Sequence, residues 1–348
     1  MIKRTSRLNV LALTYPGHLP EPETNSKDNL MEQDILSALT ELGHSARFVG
    51  VSDSIDVVTE AIKIHQPDII MNLLDEFNGS VLHEPNIAAY LELLEIPYTG
   101  CNSKGLVLAR DKALTKKLFE FHRVPTPWFS LFPKGQKISI LETIPYPVIV
   151  KSVFEESSLS ISQASVVDDE KALIKRIRFL HDTTGMDVMA EAFIEGRELY
   201  VGMIGHEPLR TLPIWELIFG KKPKHTVATY QVKFNPKYQK RWKIDSQRAE
   251  GISPLTEKQI IKACQVAYRA LSLSGYVRFD LRLKDDGRFY FLEANPNPDL
   301  SQEEDFGEAA KCSGLPYADL IQLILDSALE YNHSAALSTG LLKSNSKS

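Results

Sequence analysis

Between Tyr276 and Asn295 the chain spells out a hairpin, and few folds can accommodate it. Tyr276-Val277-Arg278-Phe279-Asp280-Leu281-Arg282-Leu283 alternates polar and apolar side chains, Phe289-Tyr290-Phe291-Leu292-Glu293-Ala294-Asn295 does so less strictly, and Lys284-Asp285-Asp286-Gly287-Arg288 lies between them. A period of two fits a half-buried strand and no helix. The Asp-Gly pair favours a two-residue type I′ turn, and a hairpin centred on Asp286-Gly287 pairs Asp285 with Arg288. Counting back in that register sets Asp280 opposite Glu293 and Arg278 opposite Asn295, with all four on one face. Directly opposed carboxylates cost several tenths to about 1 kcal/mol, so a cation belongs between them. Two carboxylates and an amide oxygen make a hard-oxygen set suited to Mg²⁺ held jointly with phosphates. The alternative is a solvated face on which Arg278 and Arg282 neutralise the acids.

Upstream, short β-rich runs alternate with helical ones from Asn9 to Gly100: Asn9–Thr14, Leu30–Leu42 stopped by Gly43, Ala46–Val51, Ile55–Ile64, Asp68–Leu73 and Asn86–Leu94. This βαβαβα order predicts a small parallel sheet with crossover helices. No G-x-G-x-x-G follows the first strand, which removes the main support for a dinucleotide-binding reading. A helix at Lys112–Phe121, a Pro-marked turn around Val124 to Trp128, and strands at Pro147–Lys151, Ala164–Val167 and Val188–Ile194 around a helix at Glu170–Leu180 predict an α+β unit. A further region, from about Glu198 to Tyr331, contains the hairpin and a helix opened by Thr256 with Gln259 three residues on, a capping-box pattern. The expected division is 1–105, 106–197 and 198–333, with a flexible Ser/Lys/Asn-rich tail at 334–348.

A formal net charge of -5 argues against a surface built to neutralise phosphates of nucleic acid or anionic lipid. The basic, aromatic-containing stretch Gly220 to Lys243 reads as a solvated face in preference to a nucleic-acid groove. Cys101, Cys264 and Cys312 form no Cys-x-x-Cys motif, and an odd count suits reduced thiols in the cytoplasm. The basic N-terminus runs into Val10–Leu13, too short for a signal-peptide core, and no apolar stretch approaches the roughly 20 residues that span a bilayer.

Several motifs together resemble the D-alanine–D-alanine ligases, over roughly two-thirds of the chain from Ile96 to Tyr331. Arg278-Phe279-Asp280 and Leu292-Glu293-Ala294-Asn295-Pro296-Asn297-Pro298 resemble the family's R-x-D and L-E-x-N-x-x-P. Ile96-Pro97-Tyr98-Thr99-Gly100 with Asp111-Lys112 resembles L-P-Y-T-G…D-K, and Pro147-Val148-Ile149-Val150-Lys151 resembles P-V-I-V-K. The resemblance implies an ATP-grasp fold: an N-terminal parallel α/β domain, with nucleotide between central and C-terminal α+β subdomains. It implies that Asp280, Glu293 and Asn295 bind two Mg²⁺ or Mn²⁺ ions bridging ATP phosphates, and that Arg278 stabilises the oxyanion. Lys112 and Lys151 are expected at phosphates. Lys233, beside Phe234, takes the place of a Lys on a covering loop. Glu155-Glu156-Ser157-Ser158-Leu159-Ser160 stands where the family has E-G-S-S-x-G, so Ser157 and Ser158 are carried over while both glycines are missing. The backbone at Ala192, Phe193 and Ile194 is expected to pair with adenine, Glu191 to take its amino group and Glu198 the ribose hydroxyls. An ordinary salt bridge is the alternative for Glu191.

The implied reaction is γ-phosphoryl transfer to a substrate carboxylate, followed by attack of an amine on the acyl phosphate, in an enzyme compatible with a homodimer. The substrate motifs depart from the family. Thr14-Tyr15-Pro16-Gly17-His18-Leu19-Pro20-Glu21 replaces G-G-x-S-x-E, Asn72 to Gly79 replaces H-G-x-x-G-E-D-G, and Asp299 stands where the family has an oxyanion-hole Gly, with Glu303, Glu304 and Asp305 nearby. A carboxylate there repels a developing oxyanion. The expectation is therefore a carboxylate–amine ligase with a substrate other than two D-alanines, one bearing an extra amine. Authentic D-alanyl-D-alanine synthesis, a phosphotransferase and a non-catalytic nucleotide-binding protein are the alternatives.

Overall fold

The computed structural model of the chain describes residues 7–20, 29–140, 143–154, 162–206, 208–221, 225–229, 232 and 235–344, with 332–344 as backbone only. Its first unit contains β1 (Asn9–Thr14), α1 (Leu30–Glu41), β2 (Ser45–Gly50), α2 (Ile55–His65), β3 (Ile69–Asn72) and α3 (Glu84–Leu93). The strands form the expected parallel sheet, in the order β2-β1-β3. Strand β3 is buried along its whole length and β1 along all but its first residue, because helices cover both faces. Two helices lead out of this unit, α4 (Ser103–Arg110) and α5 (Lys112–Phe121). The apolar spacing gives no warning of α4. Its start is fixed by Asn102, whose side chain accepts from the Gly105 N–H, and Asp111 likewise caps α5 through Ala113 and Leu114.

The second unit consists of β4 (Phe129–Phe132), β5 (Val148–Ser152), β6 (Val166–Val167), α6 (Glu170–Thr184) and β7 (Val188–Ala192). They form an antiparallel sheet in the order β4-β7-β5-β6. Helix α6 runs past the predicted Leu180 to Thr184 and stops where Gly185 turns left-handed.

The third unit holds β8 (Arg197–Ile204), β9 (Arg210–Thr211), β10 (Trp215–Phe219), α7 (Pro236–Trp242), β11 (Ile244–Arg248), α8 (Pro254–Ala270), β12 (Tyr276–Leu283), β13 (Phe289–Pro296), α9 (Asp305–Cys312) and α10 (Tyr317–Ser344). Its sheet order is β11-β10-β8-β12-β13, with β9 also on β8. Helix α8 is not opened by Thr256. Ser253 is the cap, accepting from the Thr256 N–H, and Pro254 occupies the first turn, where a missing N–H costs nothing. Helix α10 carries its backbone to Ser344, within the segment expected to be a flexible tail. It packs back on α1 and β3, so Ile321 and Leu325 share one core with Val10, Ile69, Tyr276 and Phe306. The first and third units are thereby joined by a common apolar interior. Among the described residues no helix is long and apolar enough to cross a membrane.

The hairpin reaches its expected pairing by an unexpected route. Lys284 donates to the Arg288 carbonyl and Gly287 to the Lys284 carbonyl, with Gly287 at φ 83°. The loop is therefore the three residues Asp285-Asp286-Gly287, a turn closed by a left-handed Gly, and not the two-residue turn. Left uncorrected, that register would oppose Asp280 to Leu292. A β-bulge between Leu281 and Asp280 restores it: Leu281 pairs with Phe291, and Asp280 with Glu293. The irregular alternation of β13 is the trace of that bulge. Phe291 and Ala294 both face the core, although their separation is odd.

The seam between units is tight at Gly275. Its φ is 66°, and a Cβ there would lie 2.4 Å from the Gly100 carbonyl oxygen. Gly275→Ala is expected to destabilise the protein by about 2 kcal/mol or more, combining backbone strain with that collision. Urea unfolding of the two proteins checks it, and equal midpoints would show that the seam is soft.

Candidate nucleotide and metal site

Antiparallel pairing places the site side chains in rows on one face of the third unit's sheet. Arg278 is flanked by Gly202 and Asn295, Asp280 by Tyr200 and Glu293, and Arg282 by Glu198 and Tyr290. Successive rows lie two residues apart along β12, roughly 7 Å.

In the middle row, Arg278 has turned onto Asp280, with Nε 2.8 Å from Oδ1 and Nη2 3.0 Å from Oδ2. Its guanidinium also lies over the Tyr200 ring, 4.7 Å from the centroid. Arg278 therefore neutralises one of the opposed acids, as the solvated-face alternative required. Arg282 does not neutralise the other: it goes to Glu198, Nη2 to Oε2 at 2.5 Å. Lys112 approaches the other acid, with its Nζ 4.0 Å from Glu293 Oε2. Asn295 Nδ2 is buried without a hydrogen-bond partner among the described residues. Buried amides normally find partners. The group left over is an N–H donor, so it fits a site completed from outside by an acceptor such as a phosphate oxygen, and the Oδ1 of the same amide is the atom available to a cation.

Among the described residues, no group of three or more His, Cys, Asp or Glu is arranged to hold a metal. The candidate ligands are two acids and one amide, so the amide oxygen is needed to complete the set.

Lys151, the penultimate residue of β5, is nearly buried and lies 3.2 Å from Glu191 Oε2. Glu191, only 1% exposed, also has Lys116 Nζ 2.6 Å from the same oxygen, outside the angles of a directed hydrogen bond, so the contact is an ion pair. The salt-bridge alternative for Glu191 is thus realised, with two lysines. Lys116 was not anticipated from the sequence. Burial pulls its ammonium below the usual lysine range, and Glu191 opposes that pull. The signal was available: Ala113, Lys116 and Phe119 recur at threes on the buried face of α5.

At the hinge, Ala192 donates to the Trp128 carbonyl and Phe193 to the Pro147 carbonyl. Those two N–H groups are engaged within the sheet, so Ile194 N–H is the candidate donor to a base edge. Ile149, Phe193, Val227 and Leu292 give the cleft apolar walls, and Lys151, Glu198, Asp280 and Glu293 lie along it. Apolar walls with a cation and paired acids in the same cleft suit a ligand that is flat and apolar in one part and polyanionic in another. Val227 and Leu292 were not anticipated. Ser157, Ser158 and Lys233 lie outside the described residues.

Comparison with known proteins bears on the fold and the family. Residues 119–326 match the family described as D-ala D-ala ligase C-terminus. The chain is 30% identical over 274 residues to a D-alanine–D-alanine ligase of Acinetobacter baumannii (strain AYE), covering 78% of this chain and 82% of the relative. It is 27% identical over 319 residues to an uncharacterized protein of Sinorhizobium fredii, covering 89% and 90%. Its fold is similar to the crystal structure of D-alanine–D-alanine ligase from Bacillus anthracis complexed with ATP, with a TM-score of 0.74 at 19% identity over 94% of this chain and 99% of that one.

Proposed function

The chain belongs to the D-alanine–D-alanine ligase family, whose fold is ATP-grasp, and from that premise we propose that it is an ATP-dependent carboxylate–amine ligase acting on a pair other than two D-alanines. It is a ligase forming carbon–nitrogen bonds. The observation that carries the reading is the cross-strand pair Asp280 and Glu293 in the wall of a cleft that Lys151 also lines.

In this reading Asp280, Glu293 and Asn295, the last through Oδ1, would hold Mg²⁺ or Mn²⁺, which would supply charge neutralisation to the phosphates. Lys112 and Lys151 offset the remaining phosphate charge, and the hinge at Ala192 to Ile194 receives the base. Glu191 reaches the base amine only while sharing its carboxylate with Lys116 and Lys151. Glu198 accepts from the ribose. Arg278 uses Nε and Nη2 on Asp280, leaving its Nη1 edge to meet the oxyanion that forms when the amine attacks the acyl phosphate. Ser157, Ser158 and Lys233 remain proposed contacts from the covering loops.

The acceptor side is acidic, which supports a substrate carrying an additional ammonium. Glu304 and Asp305 stand near Arg278, and Glu304 is pushed up to about 7 by desolvation and by the charges of Asp299 and Asp305. Its side chain still opens to solvent, which screens the effect. At the carboxyl end of β1, where α/β sheets bind ligands, Glu32 is 1% exposed. It accepts from the Thr14 hydroxyl at 2.5 Å, with His18 Nδ1 at 3.5 Å. No Lys or Arg pairs with it among the described residues. A cationic amine would supply the missing charge.

The test is release of ADP and phosphate from Mg-ATP across single and paired amino acids and diamines, D-alanine alone included. We expect turnover with a pair whose amine partner is dicationic. Turnover with D-alanine alone, yielding its dipeptide, would make the protein an authentic family enzyme. ATP binding without stimulation by any pair would favour phosphotransfer or binding alone.

A further inference from the structure

Arg282 is a buried cation in the wall of the cleft. It is 3% exposed and directly opposite Glu198 across β12 and β8. Nη2 meets Glu198 Oε2 at 2.5 Å and also the Thr226 carbonyl. Nη1 donates to the Gly196 carbonyl at 2.9 Å and to Thr226 Oγ1 at 3.1 Å. The guanidinium carbon lies 5.8 Å from the Phe193 ring centroid. One planar group thus ties together the hinge, the carboxylate of Glu198 and the stretch 225–229, whose Val227 and Ala228 line the cleft. Lysine presents one point charge and cannot reproduce this fork.

Glu198 is held from two sides. Tyr200 donates to its Oε1 at 3.2 Å while Arg282 holds Oε2. Each carboxylate oxygen keeps a second lone pair, so a bound sugar could still donate to a carboxylate whose direction is already fixed. Without Arg282 the carboxylate would be buried with a single neutral donor, and would turn toward water or toward another cation. The row containing Arg282 and Glu198 is one step along β12 from the metal-ligand row, where a sugar follows a triphosphate.

We propose that Arg282 is a positioning residue that makes the nucleotide pocket selective for ribose hydroxyls, by orienting Glu198 and by fastening the 225–229 wall to the hinge. This rests on the cleft being a nucleotide site. Its distinguishing mark is the ratio of affinities for two nucleotides that differ only in the sugar. Damage to the wall alone would weaken both equally, whereas misplacing Glu198 weakens only the one with hydroxyls.

The measurement is calorimetric titration of the full chain, in Mg²⁺, with ATP and with 2′,3′-dideoxy-ATP. Wild type is expected to prefer ATP by about tenfold or more, the scale of one or two hydrogen bonds to a charged acceptor. Arg282→Met is expected to bring the ratio to within about twofold of one, and Arg282→Lys to give an intermediate value. Glu198→Gln should lose the preference as well, and Glu198→Gln with Arg282→Met should lose nothing further. Arg282→Lys keeps a cation beside Glu198 and so serves if Arg282→Met does not fold: a wild-type ratio in it overturns the proposal. An Arg282→Met protein that keeps the wild-type ratio, or a wild type that binds both nucleotides alike, overturns the proposal. A wild type that binds neither overturns the nucleotide reading instead.

Discussion

Glu293→Gln should lower ADP release by about 10²- to 10³-fold under whatever acid–amine pair stimulates it. The substitution keeps the shape of the side chain and removes one of only two negative charges offered to a hard cation. Loss of a single preorganised electrostatic partner has that scale. The fold should survive, because Glu293 is about a quarter exposed and sits opposite Asp280, so removing its charge relieves repulsion. The unfolding midpoint should therefore stay level or rise slightly while turnover collapses. Raising Mg²⁺ should recover part of the loss. A decline of less than tenfold, unresponsive to Mg²⁺, would mean that this carboxylate does not serve a metal.

The largest stability effect is expected far from the hairpin's tip, at Arg110. Arg110 donates through Nε and Nη2 to Glu84, which is wholly buried at the start of α3, and Asn297 donates to the other Glu84 oxygen. Asn297 also accepts from the Cys101 N–H. The network therefore straps the first unit to the chain just beyond Asn295. Removing one member of a buried pair strands the other charge, and Arg110→Met is expected to cost about 3–5 kcal/mol at pH 8 by urea unfolding. The loss should shrink at pH 5.5. Burial pushes the Glu84 carboxyl up to about 7 even with Arg110 present, so the native state takes up a proton that the unfolded chain, titrating near 4.5, does not. Stability from this group falls as pH rises from about 4.5 to about 7 and is level above that. Without Arg110 the carboxyl titrates still higher, so the variant gains more than wild type from acidification. Pairing the change with Glu84→Gln should restore most of the stability, since no charge is left stranded. Equal losses at both pH values would contradict this account.

The hairpin, the parallel sheet and the order of units were legible because periodicity and turn residues act locally. Asp280 faces Glu293 as the alternation predicts, but only because a longer loop and a bulge cancel. Lys116 and the Arg282 fork were less legible: each takes its role from partners distant in sequence, Glu191 and Thr226. The same holds for α4, where a single cap decides the start and the apolar stripe is short. The Glu191 carboxylate was expected to face a base, yet two lysines reach it first, one from a helix whose approach no local pattern encodes. Periodicity reports which face is buried and is silent on what meets it.

The bulge at Leu292 has a further consequence. A regular strand offers a ligand only every second residue, so neighbouring chemistries on one face are at least two residues, about 7 Å, apart. By stepping out of register, β13 delivers Leu292 and Glu293 to the same cleft one after the other. A greasy plate and a formal charge are thus set a single residue apart, a grain finer than pleated backbone normally permits. Chemistry that changes from flat and oily to doubly anionic within a few ångströms, as along a nucleotide, can be read at that resolution only where the strand breaks its own rhythm.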